Sequence, residues 1–336
     1  MTGKGYSVDL GLPAQGDAAP GETLGGQSAR TSIGGRGEGS LPRVMGKAKP
    51  RSYYGQPILH EPTWTWEIPT YFFFGGMAGA SATLAVLAEI RGNEVLARRA
   101  WLVANAGIMV SPPLLISDLG RPERFLYMMR VFKPTSPMSM GSWILTAAGA
   151  SFSVAGARAL LGWFPRLGRL AAIGSGFAGP ALATYTAVLV SDTAVPVWHE
   201  ARGHLPFVFA AGASTSAAGA ALLLTPPRSA APARRLALGA AVAELAAVLR
   251  MERDLGELGE PYRKGTSGRF ARAAKALTGF GALGIASGRP RLGALGLLGG
   301  ALCERWAVYE AGFASVRDPR YVVDPQRERV ARREAA

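Results

Sequence analysis

Two groups of residues in this chain have the types and the placing to do chemistry. The first lies in residues 116–143, ISDLGRPERFLYMMRVFKPTSPMSMGSW. Here Asp118, Arg121, Glu123, Arg124, Arg130 and Lys133 are interspersed with Phe125, Tyr127 and Phe132, and Pro122, Pro134 and Pro137 break the backbone into turns. Such a mixture between two apolar runs suits a docking surface at a membrane boundary or the wall of a polar pocket sunk into it. A charged loop that merely anchors two helix ends has the same composition. The second group is three acids in or at the edge of apolar runs, Glu89, Glu244 and Glu304. An ionisable group there is costly and marks either a proton pathway or a structural ion pair. Neighbours on a helix do not face each other, so the partner of Glu304 is expected on another helix and not at Arg305.

The elements that must position these residues are apolar helices. Of 336 residues, 49% are hydrophobic and 18% charged, and the mean hydropathy is +0.15 despite a polar N-terminal stretch. The apolar residues come in blocks over 68–90, 100–117, 139–161, 170–191, 205–225, 236–249, 271–287 and 292–314. A run of about 20 apolar residues spans the hydrocarbon core as a helix, which satisfies its own backbone hydrogen bonds there. A membrane β-barrel would need short alternating segments instead. The pattern predicts an all-α integral membrane protein of about eight transmembrane helices. Small-residue faces (Gly75, Gly76 and Gly79; Gly212, Ser214, Ser216 and Gly219) suit close helix packing, and Pro112–Pro113 is expected to kink the second span. Residues 1–50, rich in Gly, Ser, Ala and Pro, read as a disordered polar tail. Residues 51–67, with Tyr53, Tyr54, Trp64 and Trp66, read as an interfacial approach, 68–314 as the membrane domain and 315–336 as a polar C-terminal tail.

Composition also excludes some chemistry. One cysteine, Cys303, cannot supply the ligands of an iron–sulfur cluster. The three histidines, His60, His199 and His204, do not offer a pair on facing helices for a membrane haem. Any redox centre is therefore diffusible or belongs to a partner. The net charge of +14 sits at membrane flanks with no soluble fold to read a groove, which excludes nucleic acid and leaves the lipid bilayer as its surroundings. Eight spans place both termini on one side with the 118–136 loop. Basic residues flank both ends of the spans, so the positive-inside rule does not decide. The polar tail without an export signal tilts its side toward the cytoplasm.

DLGRPERF (118–125) followed by FKPTSPMSMGSW (132–143) closely resembles the signature of the NrfD-like, polysulfide-reductase-type membrane subunits. YFFFGGMAGASA (71–82) looks like the first helix of that family, and YTAVLVSDTAVPVWHEARGHLPFVF (185–209) like its fourth helix and following loop. The resemblance implies the membrane anchor and quinone-reactive subunit of a multi-subunit respiratory oxidoreductase in a bacterial plasma membrane. Menaquinone or ubiquinone would sit in a pocket of the bundle formed by the first four or five helices, with no haem or cluster in this chain. Electrons would pass to or from a ferredoxin-like [4Fe–4S] subunit serving a molybdenum or tungsten molybdopterin catalytic subunit.

In the family's fourth-helix motif a tyrosine contacts the quinone. It falls here at Tyr185, whose phenol can donate to a carbonyl oxygen; a packing tyrosine is the plain alternative. Asp118 either passes protons to the quinone or only fixes the loop through Arg121 or Arg124. His199, a group that titrates near neutral pH, either relays protons beside Glu200 and Arg202 or is a surface residue. Glu67 and Tyr71, at the start of the first span, and Arg121 are the remaining expected cofactor contacts. Arg121, Arg124, Arg130 and Lys133 would receive an acidic ferredoxin-like partner, or bind lipid headgroups. Two other classes fit the composition: a transporter or proton-translocating bundle with no redox step, and a purely structural anchor. A transporter would carry paired broken helices, and Pro112–Pro113 has no counterpart.

Overall fold

The computed structural model describes residues 58–334, whose regular structure is all helical. The tail expected over residues 1–50, with Tyr53 and Tyr54, lies outside the described residues. In chain order the helices are α1 (Glu67–Ile90), α2 (Glu94–Asp118), the short α3 (Arg124–Met128), α4 (Pro137–Leu161), α5 (Pro165–Ser191), the short α6 (Pro196–Glu200), α7 (Leu205–Leu224), α8 (Ala231–Asp254), α9 (Gly265–Ala286), α10 (Pro290–Arg317) and α11 (Arg320–Glu334). The eight apolar runs thus become eight long helices among the described residues. Five of these, α1, α2, α4, α5 and α7, are long and apolar enough to cross a membrane. The other three are as long but more polar. The helices outrun the apolar blocks because polar residues form their end turns. Asn93, for example, caps α2 by accepting a hydrogen bond from the Leu96 amide at 3.2 Å. Helix α2 continues through both Pro112 and Pro113.

Four helices close a ring, α1 on α2, α2 on α4, α4 on α5 and α5 on α1. Helices α7 and α10 pack behind α1, and α8 and α9 complete a second layer against them. In their most apolar windows α1 and α7 are 72% and 67% buried, against 28% for α4. Among the five apolar helices, α1 and α7 are therefore the central ones. The outer helices turn large apolar side chains such as Leu170, Ile173 and Phe177 outward, a surface suited to lipid and not to water. Close approach explains the glycines at the α1–α5 crossing. A β-carbon on Gly79 would run into Gly179 O and lie 3.0 Å from Ala183 N, so only small residues let these backbones touch.

Contacts between connections sort the two ends. At one end Asn93 Nδ2 donates to Ser229 O at 2.9 Å, and Arg98 to Leu160 O at 3.3 Å. At the other, Arg317 donates to both oxygens of Glu61 at 2.9 and 3.0 Å, and Arg320 reaches Glu260 at 3.4 Å. The Arg317 hydrogen bonds hold the Glu61 carboxyl below its ordinary value. The tie is therefore intact at neutral pH and is lost as pH falls through that lowered value. Both side chains are substantially exposed, so its contribution to stability is small.

Candidate functional site

Tyr71 lies one turn into α1 and is fully buried, and Tyr185 lies in the second half of α5. The α1–α5 packing brings their hydroxyls into a hydrogen bond with each other. Gly141 of α4 makes the room, because a β-carbon there would run into the Tyr185 ring. Around the two rings is a cavity of about 240 Å³. Its walls are mostly apolar, with Ile68, Phe72, Leu115, Met128, Met138 and Leu189 among the lining residues, and Ser142 and Asp118 as polar ones. All four helices of the ring and the 119–136 loop contribute to it.

The approach segment, residues 58–66, forms the rim. Trp64 lines the cavity and stacks on Trp198 with ring centroids 5.4 Å apart, and its carbonyl accepts from Tyr309 Oη at 2.6 Å. Thr65 binds the end of α2: its amide and hydroxyl donate to Asp118 Oδ1 at 3.1 and 3.0 Å. The same hydroxyl meets Glu67 Oε2. A hydroxyl has one proton to give, and ionised carboxylates only accept. The three groups are satisfied together when one carboxyl carries a proton and donates it to Thr65 Oγ1. Asp118 and Glu67 are thereby linked at the cavity mouth through a residue that carries no charge of its own.

Of the expected site residues, Tyr71, Tyr185 and Asp118 line one cavity, and Glu67 joins them through Thr65. Arg121, Arg124, Arg130 and Lys133 are exposed on the adjoining loop, at the same end of the molecule. His199 is elsewhere. It is exposed on α6 and lines a separate cleft of about 520 Å³ with Tyr321, Arg329 and Arg333 of α11.

The three acids do not form one line. Glu89 sits at the far end of α1, about 27 Å along the helix from Tyr71 at 1.5 Å per residue. There it pairs with Arg158 and accepts from Trp101 Nε1 at 2.7 Å. Glu244 and Glu304 lie together in the second layer. The expectation that Glu304 pairs with another helix is overturned, because its partner is Arg305. The adjacency rule describes where the β-carbons point. Arg305 is long enough to turn back, and Phe209 fixes it there through its carbonyl at 2.8 Å and its ring, 3.9 Å from the guanidinium. Trp64 and Gly141 line the candidate cavity and Thr65 borders it, none of them expected there from the sequence. Gly141 falls within the quoted FKPTSPMSMGSW motif, whereas nothing in sequence marks Thr65. Among the described residues no three His, Cys, Asp or Glu side chains are grouped to hold a metal ion.

The profile of the family described as "Polysulphide reductase, NrfD" matches residues 58–231, just over half of the chain. The chain belongs to the NrfD family. Comparison with curated proteins gives no match. The NrfD match takes in every helix from α1 to α7 and all the residues that line the tyrosine cavity. It ends where α8 begins, so Glu244, Glu304 and Arg305 belong to a part of the chain outside it.

Proposed function

We propose that this NrfD protein is the quinone- or quinol-reactive membrane subunit of a respiratory oxidoreductase, holding the head group of menaquinone or ubiquinone in the Tyr71–Tyr185 cavity. The observation that carries this reading is the pair of buried hydroxyls bonded to each other at the wall of an apolar slot. One donates to the other, and the acceptor keeps a proton to give to a carbonyl oxygen in the slot. At about 240 Å³ the cavity is smaller than the roughly 300–1,000 Å³ of pockets that enclose a whole small molecule. That size suits a ring held inside with its tail left among the helices. When bound, the quinone supplies the two-electron, two-proton redox chemistry. The chain's part is to orient the ring, exclude water and hold protons. Tyr71 and Tyr185 present a proton at the inner wall, and the Thr65-linked carboxyls of Asp118 and Glu67 store one at the mouth.

Gly141→Ala tests the geometry without touching a polar group. The added methyl displaces the Tyr185 ring, and a displacement of about 1 Å at such a site costs up to ~10²-fold in rate. Quinol-linked turnover is expected to fall while the subunit still assembles. Native turnover in this variant would mean that the position of the ring is immaterial.

Arg121, Arg124, Arg130 and Lys133 are exposed together with Leu126, Tyr127, Val131 and Phe132. Cations around apolar side chains form a surface for an acidic protein, here a ferredoxin-like [4Fe–4S] subunit that serves a molybdopterin catalytic subunit. The docking end faces the cytoplasm of a bacterial plasma membrane in this reading. Gentle solubilisation and purification of the native complex, with quinone and iron analysis, tests it. Extractable quinone and an iron–sulfur partner are expected, and the partner is lost when Arg121 and Arg124 are both replaced by Glu. A complex that contains neither contradicts the proposal.

A further inference from the structure

The second layer contains a buried polar site that the tyrosine cavity does not use. Glu244 of α8 is 2% exposed, Glu304 of α10 is 3% and Tyr262, in the 3-10 turn Gly256–Tyr262, is 2%. They line one cavity of about 20 Å³, and Glu244 Oε2, Glu304 Oε1 and Tyr262 Oη are left without a hydrogen-bond partner in good geometry among the described residues. Buried polar atoms are rarely left so. A cavity needs about 10–15 Å³ and two to four polar partners to hold one water. This one has the room and offers three unpartnered atoms.

The charges around it are few. Arg305 is the only cation paired with either glutamate among the described residues, and it pairs with Glu304 Oε2. Among the described residues Glu244 meets two uncharged hydroxyls, that of Thr278 at 3.4 Å and that of Thr215 of α7. Toward the end that carries the tyrosine cavity, Glu252 of α8 and Lys275 of α9 line the same cavity. They neutralise each other at 2.8 and 2.9 Å. Two glutamates against one arginine leave a surplus negative charge in a medium that does not tolerate it.

We infer that Glu244 is a resident proton-binding site: its carboxyl is protonated and donates to a single water, which also bonds Glu304 Oε1 and Tyr262, with exchange to solvent past the Glu252–Lys275 pair. The proton balances the count, two carboxyls against one guanidinium and one proton. The inference does not depend on a quinone in the other cavity.

Infrared difference spectroscopy of the detergent-solubilised full chain, native minus variant, in H2O and D2O, tests it. The native protein is expected to show one protonated-carboxyl C=O band from this site that shifts in D2O. Glu244→Gln removes the seat of the proton and loses that band. Glu304→Gln also loses it, because Glu244 then ionises against Arg305. Arg305→Met is expected to double it, because both glutamates are then protonated. Retention of the band in Glu244→Gln overturns the inference. So does a native spectrum with no such band, which needs no variant to fold.

Discussion

Tyr185→Phe is expected to lower quinol-linked turnover of the intact complex on the order of 10²-fold, the lower end of what a positioned proton donor contributes, with the subunit still assembled. The ring stays and fills the same space against Gly141, so packing is unchanged. What is lost is one of two protons and the bond that aims the other. Tyr71 is fully buried on α1, where its hydroxyl is hydrogen-bonded to that of Tyr185. Tyr71→Phe is therefore expected to cost a similar factor, and the double variant hardly more than either alone, because the two hydroxyls act as a unit. The measurement is steady-state oxidation of a short-tailed quinol by the purified complex, alongside partner retention. If Tyr185→Phe turns over at the native rate, the hydroxyl pair is a packing feature and the proposed site must move.

The fold was largely legible because hydrophobic blocks in a membrane protein have little else to become. All eight runs are helices; most ends moved outward, where polar end turns such as Glu94–Arg99 extend them, and the runs over 205–225 and 271–287 each stop one residue sooner. The first four long helices form the expected bundle, here as a closed ring. The lining of the candidate cavity was legible where a motif pointed at it, as with Tyr185, and where position in a span did, as with Tyr71. It was not legible where the decisive partner is distant in sequence. Trp64 is fixed by Tyr309, 245 positions away, and Thr65 by Asp118, 53 positions away. No local pattern encodes either contact. His199 is of a residue type suited to proton transfer, but α6 turns it toward α11 and away from the tyrosines. Glu304 was misjudged for a different reason: a rule about neighbouring β-carbons ignores the reach of an arginine held by a third residue.

That arginine gives the second large effect. Arg305→Met is expected to destabilise the protein by about 3–5 kcal/mol, the usual result of removing one partner of a buried ion pair. This is a large share of the roughly 5–15 kcal/mol by which a domain is stable. Arg305 is 1% exposed, and its charge faces Glu304 on one side and the Phe209 carbonyl and ring on the other. Gly212 leaves room for it: a β-carbon there would lie 3.1 Å from Nη2. Lysine cannot replace it, since an ammonium lacks the planar fork that bonds the carboxylate and the carbonyl while lying on the ring. The double variant Glu304→Gln with Arg305→Met removes both charges and is expected to recover most of the loss. Thermal unfolding in detergent, followed by helical signal, reads both. Phe209 also packs on Phe72, with ring centroids 5.7 Å apart, and Phe72 lines the tyrosine cavity. The single variant is therefore expected to raise the KM for quinol even below its melting temperature. If Arg305→Met melts with the native protein, α10 does not brace the family-matched bundle through this ion pair.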